Sequence, residues 1–214
     1  EWIKKNLSWN WCDFTLRCIK ENKKHLKGDR KTIILQSLAG LLEERNLSKV
    51  TTAILAEKSK ITEAALYRHF PSKRSIFLEL FGFCDDAIFS KCTEIKKSKL
   101  SSEDKVKNIF LFFILFLEKN KGFARILSRE ALSSNEQNVT DAVNQFFERL
   151  ELAIKQILAE ESPKLIAQPG ISSQLIVTTL EGTISRYIRS KFKEAPSSYS
   201  ENLWTLIVLS TFKD

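Results

Sequence analysis

Apolar residues return at intervals of three and four along nearly the whole chain, while Gly and Pro, which interrupt such a rhythm, number only 6 and 4 in 214 residues. That spacing puts side chains on one face of an α-helix, whereas a half-buried strand needs strict alternation, which is rare here. The expected fold is therefore all-α. With 43% apolar residues the chain can bury a substantial core.

Start and stop signals divide the rhythm. Asp29 can cap a first helix running to about Arg45 and ended by Asn46, with Ile33, Ile34, Leu38, Leu41 and Leu42 as its stripe. Thr51 or Thr52 can cap a second, TTAILAEK, with Ile54, Leu55 and Ala56 turned inward. After a break at Ser59-Lys60, Thr62 opens a third, which stops near Phe70 because Pro71 disfavours helical backbone in the residue before it. Ser72 opens a fourth, and Ser101 with Asp104 a fifth containing the run IFLFFILFL. A sixth is expected over 121–133 and a seventh over about 136–160, closed by the loop SPKLIAQPG. Two more fall near 172–192 and 200–212, parted by Ala195-Pro196. The reading is about nine helices: an N-terminal three-helix domain at 29–74 and a larger helical domain at 75–214, preceded by a basic, disordered extension at 1–28.

Charge narrows the partners. Lys and Arg number 34 against 26 Asp and Glu, a net +8, which favours a polyanion such as nucleic acid or an anionic membrane surface. IFLFFILFL, residues 109–117, is about half the length of a membrane span, so no membrane-crossing segment is expected. The first residues lack an unbroken apolar core and a small-residue cleavage site, and the expectation is a cytoplasmic protein. Trp2, Trp9 and Trp11 among basic residues could seat a short helix at a membrane interface, though an incidental extension fits them as well.

Catalysis and metal binding find little support. The cysteines, 12, 18, 84 and 92, form no C-x-x-C pair. Cys12, Cys18 and His25 lack a fourth ligand, so reduced thiols and no metal or cofactor are expected. Asp85-Asp86 and Glu43-Glu44 are adjacent pairs that diverge on a helix. No phosphate-cradling glycine loop or nucleophile elbow is present, and no enzyme is expected.

The stretch TEAALYRHFPSK, residues 62–73, carries the functional signal. On a helix, Leu66 and Phe70 face one way with Ala65 beside them, and Thr62, Glu63, Ala64, Tyr67 and Arg68 face the other. Two short helices separated by about four residues, the second with a polar outward ridge, are the layout of a helix-turn-helix DNA reader. Thr62 can reach a base edge or phosphate, Ala64 lets the backbone approach closely, Tyr67 can donate to a phosphate, and His69 and Lys73 can clamp the flanking backbone. Taken singly, Tyr67, Arg68 and His69 could equally be packing or solvated residues. Lys20, Lys23, Lys24, Lys27, Arg30 and Lys31 could form an arm along the duplex or a solvated tail.

TTAILAEKSKITEAALYRHFPSK resembles the helix-turn-helix of tetracycline-repressor-like (TetR) regulators in Thr62, Ala64, Leu66, Tyr67, His69, Phe70, Ser72 and Lys73. With ILQSLA at 34–39, ARILSREAL at 124–132, NQFFERLE at 144–151 and SRYIRSKFK at 185–193, the likeness extends to the nucleoid occlusion factors within that family. The resemblance implies a two-domain helical homodimer on palindromic double-stranded DNA that, when bound, antagonises assembly of the tubulin-like division protein FtsZ. It places Thr51, Thr52, Thr62, Ala64, Tyr67, His69 and Lys73 on DNA, and Phe83, Lys91, Lys119 and Asn120 on the division-protein surface. Departures are Lys60 where the family commonly has a turn glycine, Ile54 for a polar residue, Leu115 for a small one, and Lys91 and Lys119 for arginines.

Two readings remain open beside this one. Phe110, Phe112, Phe113, Phe116 and Phe146 could line a small-molecule pocket, which would make an ordinary ligand-released repressor; aromatic residues at helical spacing also read as plain core. Leu175, Ile176, Leu180, Ile184, Tyr187 and Ile188, with Leu203, Trp204, Ile207 and Val208, offer more apolar surface than a terminal helix pair needs. Some of it is expected to meet a second copy of the chain.

Overall fold

The computed structural model describes residues 30–44, 49–129 and 137–213. Among them run nine α-helices: α1 Arg30–Glu44, α2 Thr52–Lys58, α3 Glu63–His69, α4 Lys73–Lys96, α5 Ser102–Lys119, α6 Lys121–Leu127, α7 Gln137–Ala159, α8 Pro169–Arg189 and α9 Ser200–Thr211. Asp29, Asn46, the extension with its tryptophans, Cys12, Cys18, His25 and most of the basic arm lie outside the described residues. The chain is all-α, as its periodicity requires.

The helices fall into two compact units, each with its own core. The first holds residues 30–44, 49–87, 119–129 and 137–143, and the second Ile88–Glu118 and 144–213. In the first, α2, α3 and α6 all pack on α1. The α1 stripe is Ile34, Leu35, Leu38, Ala39, Leu41 and Leu42, all buried, whereas Ile33, expected within it, is 38% exposed. Gly122 on α6 is essential to that packing, since a Cβ there would sit 2.8 Å from Leu42 Cβ. On α2 only Leu55 and Ala56 are buried; Ile54 is half-buried, because three consecutive helical residues spread too widely to share one face.

In the second unit α5 is buried nearly all round. Phe113 stacks on Phe146 of α7 with centroids 5.9 Å apart, Phe110 meets Trp204 of α9 at 5.7 Å, and Phe89 meets Phe146 edge-on at 5.4 Å. Burying each such ring contributes roughly 1.5–3 kcal/mol. The predicted cap of α5 is present: Asp104 N–H donates to Ser101 Oγ at 3.1 Å, and that hydroxyl donates to Asp104 Oδ2 at 2.8 Å.

Two helix ends differ from expectation for one reason. α8 stops at Arg189, short of 192, where Lys191 N–H donates to Ile188 O and Phe192 N–H to Tyr187 O, with Lys191 at φ 55° and Phe192 at φ 61°. This is the Schellman closure, completed by the Tyr187 and Phe192 rings at 4.8 Å. α6 stops at Leu127 rather than 133, with Arg129 at φ 58°. α2 closes in the same left-handed way at Lys60, at the expected break. At the other end of α8, Pro169 is the first helical residue, a position where its missing N–H costs nothing.

Candidate nucleic-acid interface

α2 and α3 are each of 7 residues, too short to persist alone, so their ends and their packing hold them. Thr51 caps α2, its Oγ1 accepting from Ile54 N–H at 3.2 Å, and Thr62 caps α3, accepting from Ala65 N–H at 3.2 Å. Each cap is worth about 1 kcal/mol. Between them Lys60 N–H donates to Glu57 O and Ile61 N–H to Ala56 O, both at 3.0 Å, with Lys60 at φ 54°. The left-handed residue is thus a lysine, at a cost of about 1 kcal/mol relative to glycine.

This turn aims α3 so that Leu66 and Phe70 are buried at 0% and 1% while Tyr67 is 49% exposed. Thr62, Glu63, Ala64 and Arg68 are exposed beside Tyr67, and Ala65, Ile61 and His69 are half-buried. The polar ridge expected on α3 is therefore solvent-facing. Thr51 is exposed and Thr52 half-buried at the start of α2. Lys73 is half-buried at the first turn of α4 with its Nζ 5.4 Å from the Phe77 ring. That helix begins with a reciprocal cap, Ser75 N–H to Ser72 Oγ at 3.1 Å and Ser72 N–H to Ser75 Oγ at 3.2 Å.

Sequence reasoning missed one contact. Thr52 Oγ1 donates to Glu63 Oε2 at 2.7 Å, joining the first turn of α2 to the first turn of α3. Nothing in the spacing of a threonine and a glutamate 11 residues apart foretells it. Behind the ridge, Lys31 of α1 lies 5.3 Å from the Phe70 ring and 4.0 Å from Glu79.

The residues expected on the division-protein surface fall out differently. Lys119 is exposed at the end of α5, and Phe83 is half-buried on α4. Lys91, also half-buried on α4, pairs with Glu94 at 2.8 Å. Asn120 is only 2% exposed, so it presents almost no surface to a partner and is removed from that set. Leu115 is half-buried.

Cys84 and Cys92 are buried thiols outside any disulfide, and burial pushes the Cys92 thiol up to about 12. Among the described residues no helix is long and apolar enough to cross a membrane, and no three His, Cys, Asp or Glu are grouped to hold a metal.

Two short capped helices joined by a left-handed turn, the second with a polar face outward, define a helix-turn-helix regulator. Residues 34–80 match the family described as bacterial regulatory proteins, tetR family, and residues 102–211 match the SlmA-like tetracyclin repressor-like C-terminal domain. Nucleoid occlusion factor SlmA of Vibrio vulnificus (strain YJ016) is 35% identical over 186 residues, covering 85% of this chain and 95% of the relative. Its counterpart in Marinomonas sp. (strain MWYL1) is 33% identical over 185 residues, 85% of this chain and 94% of the relative. The chain belongs to the SlmA family of nucleoid occlusion factors, a branch of the tetR-type regulators. Among solved structures, the fatty acid degradation regulator FadR of Bacillus halodurans aligns with a TM-score of 0.74 at 15% identity, over 86% of this chain and 97% of that one. A TetR transcription regulator from Haloarcula marismortui aligns at 0.73 and 12% identity, over 87% and 100%. At such identities the likeness is one of fold.

Proposed function

We propose that the protein binds palindromic chromosomal DNA as a homodimer and, from there, restrains assembly of the FtsZ division ring over the nucleoid. The observation that carries this is the outward ridge of α3, with Thr62, Ala64 and Tyr67 exposed over a buried Leu66 and Phe70, in a chain related over 85% of its length to nucleoid occlusion factors. In this reading α3 enters the major groove. Thr51, Thr52, Thr62, Ala64, Tyr67, His69 and Lys73 meet bases and phosphates, and Arg68 and Lys60 add charge beside them. The protein works on the nucleoid, in the bacterial cytoplasm, as a binding protein rather than an enzyme. Residues 29–74 form the reader and 75–214 the dimerisation and partner-binding part.

Dimerisation has a surface suited to it. Ile171, Leu175, Thr178, Gly182, Ser185 and Arg189 recur at three- and four-residue spacing on the exposed side of α8, with Ile171 at 60% and Leu175 at 41%. Leu206 and Leu209 on α9 are 63% and 66% exposed. A Cβ added at Gly182 would meet nothing within 4 Å, so a second helix can come close there. Ile176, Leu180, Ile184, Tyr187, Trp204 and Ile207 are buried within the chain itself and leave this contact to their exposed neighbours.

Polymerising FtsZ-like protein, followed by light scattering with and without the genomic fragments that this protein enriches, tests the reading. DNA-dependent loss of polymer is expected. Unchanged scattering under both conditions overturns the division role. Phe83, Lys91 and Lys119 are the proposed contacts, and their alanine variants are expected to spare DNA binding while weakening that loss. The ligand-released repressor is less well supported, since Phe110, Phe113, Phe116 and Phe146 are buried at 0–2% and ring contacts tie Phe110 to Trp204, Phe112 to Phe116 and Phe113 to Phe146.

A further inference from the structure

The DNA-facing ridge contains a group that does not belong on a surface designed only to attract phosphate. Glu63 is exposed in the first turn of α3, between Thr62 and Ala64. A carboxylate there repels the duplex backbone, in a chain whose net charge is +8. Two facts indicate that it has a task of its own. Its position is fixed: Thr52 Oγ1 donates to Oε2 at 2.7 Å, so the side chain is held across the turn and part of its rotamer entropy is already lost. Its charge is also not consumed by a neighbouring cation, since the Thr52 hydroxyl is its hydrogen-bond partner and no Lys or Arg among the described residues pairs with it. An ionised carboxylate has about four acceptor sites and no donor. One is taken by Thr52, and Oε1 remains able to accept.

In the major groove, an acceptor-only side chain matches the N4 amino group of cytosine. Neighbouring Ala64 has no bulk to keep the start of α3 away from the base edges. Resting on the DNA-reading role proposed above, we infer that Glu63 is a specificity-determining residue whose carboxylate, braced by Thr52, accepts a hydrogen bond from a cytosine N4 in each half-site. It sacrifices some affinity for any duplex to gain discrimination, whereas Lys73 and Tyr67 on phosphates do the reverse. A purely scaffolding role would use the same Thr52 contact but leave base preference untouched, and this difference makes the inference testable.

The test is selection of binding sites from a randomised duplex pool by the full chain, wild type against Glu63→Gln and Thr52→Val, with helical content checked by circular dichroism. Wild type is expected to prefer C·G at one symmetric pair of positions by roughly 5- to 150-fold, the span of a good side-chain to base contact. Glu63→Gln gains an amide donor, and its preference there is expected to move toward A·T, the pair that Gln reads. Thr52→Val frees the carboxylate, and the C·G preference is expected to weaken without changing identity. If the wild type selects sites and Glu63→Gln keeps every preference, the role of Glu63 is overturned and the reader survives. If the wild type selects no sequence, the DNA reading itself falls, and this inference with it.

Discussion

α3 and α5 solve opposite problems. α3 has 7 residues, with Leu66 alone buried, and owes its existence to a threonine cap, a left-handed turn and the α1 surface beneath it. α5 has 18 residues with eleven side chains buried, and a cap that merely starts a helix its core would hold anyway. The difference shows where function can be placed. A helix that spends nearly all its side chains on packing has little to offer a partner, whereas one held from outside is free to present polar groups. The same contrast separates α8 and α9, whose outer faces carry Ile171, Leu175, Leu206 and Leu209, from the buried α5.

Four perturbations test this contrast. The largest effect is expected from salt: if α3 and its neighbours neutralise about 6–10 phosphates per dimer, affinity falls on the order of three to five decades between 50 and 200 mM. Fluorescence anisotropy across that range measures it, and a flat response breaks the assignment of α3 as the reader. Phe113→Ala on α5 comes next. Its ring is 0% exposed against Phe146, and chemical denaturation should show a loss of about 3–5 kcal/mol, with intact DNA affinity wherever the protein remains folded. Thr62→Ala on α3 removes the cap on Ala65 N–H and is expected to cost about 1 kcal/mol. Unlike Phe113→Ala, it should lower DNA affinity even in fully folded protein, and equal affinities would erase the distinction between the two helices. The smallest effect is expected from Lys60→Gly, which relieves the backbone at φ 54° and should stabilise by up to about 1 kcal/mol, while lowering the salt slope if Lys60 meets phosphate.

A pH titration sharpens the contrast from the other side. Burial holds the Cys92 thiol near 12 and the Tyr187 hydroxyl, with Glu118 beside it, near 12 as well. Both groups keep their protons in the fold to a higher pH than in the unfolded chain. Their contribution is therefore full below about 9 and is lost as pH rises from about 9 toward 12. Denaturant midpoints should fall through that window, and a thiol reagent at pH 8 should react with Cys92 only after unfolding.

Much of the fold was legible because it rests on local rules. Thr62, Ser72 and Ser101 occupy helix starts as their hydroxyl chemistry requires, and Pro71 closes α3. Leu66 and Phe70 against Tyr67 could be sorted by helical angle alone. The break at Ser59-Lys60 was legible too, but the helix ends at Arg129 and Lys191 were not, because left-handed closures normally announce themselves by glycine and here use charged residues. Asn120 was placed on the partner surface by the family resemblance, and it is 2% exposed, a burial that no local spacing in the sequence announces.

By itself, then, the sequence determined that this chain is helical, that its third helix has a greasy side and a polar side, and that both short helices are capped by threonine. Those facts follow from side-chain periodicity and from hydrogen bonds spanning three residues. Only the tertiary structure decided which apolar residues of α8 and α9 are left uncovered, that Gly122 must be small beneath Leu42, and that Thr52 reaches Glu63. Such outcomes depend on which helices meet and at what distance, and proximity between residues far apart in the chain has no periodic signature to read.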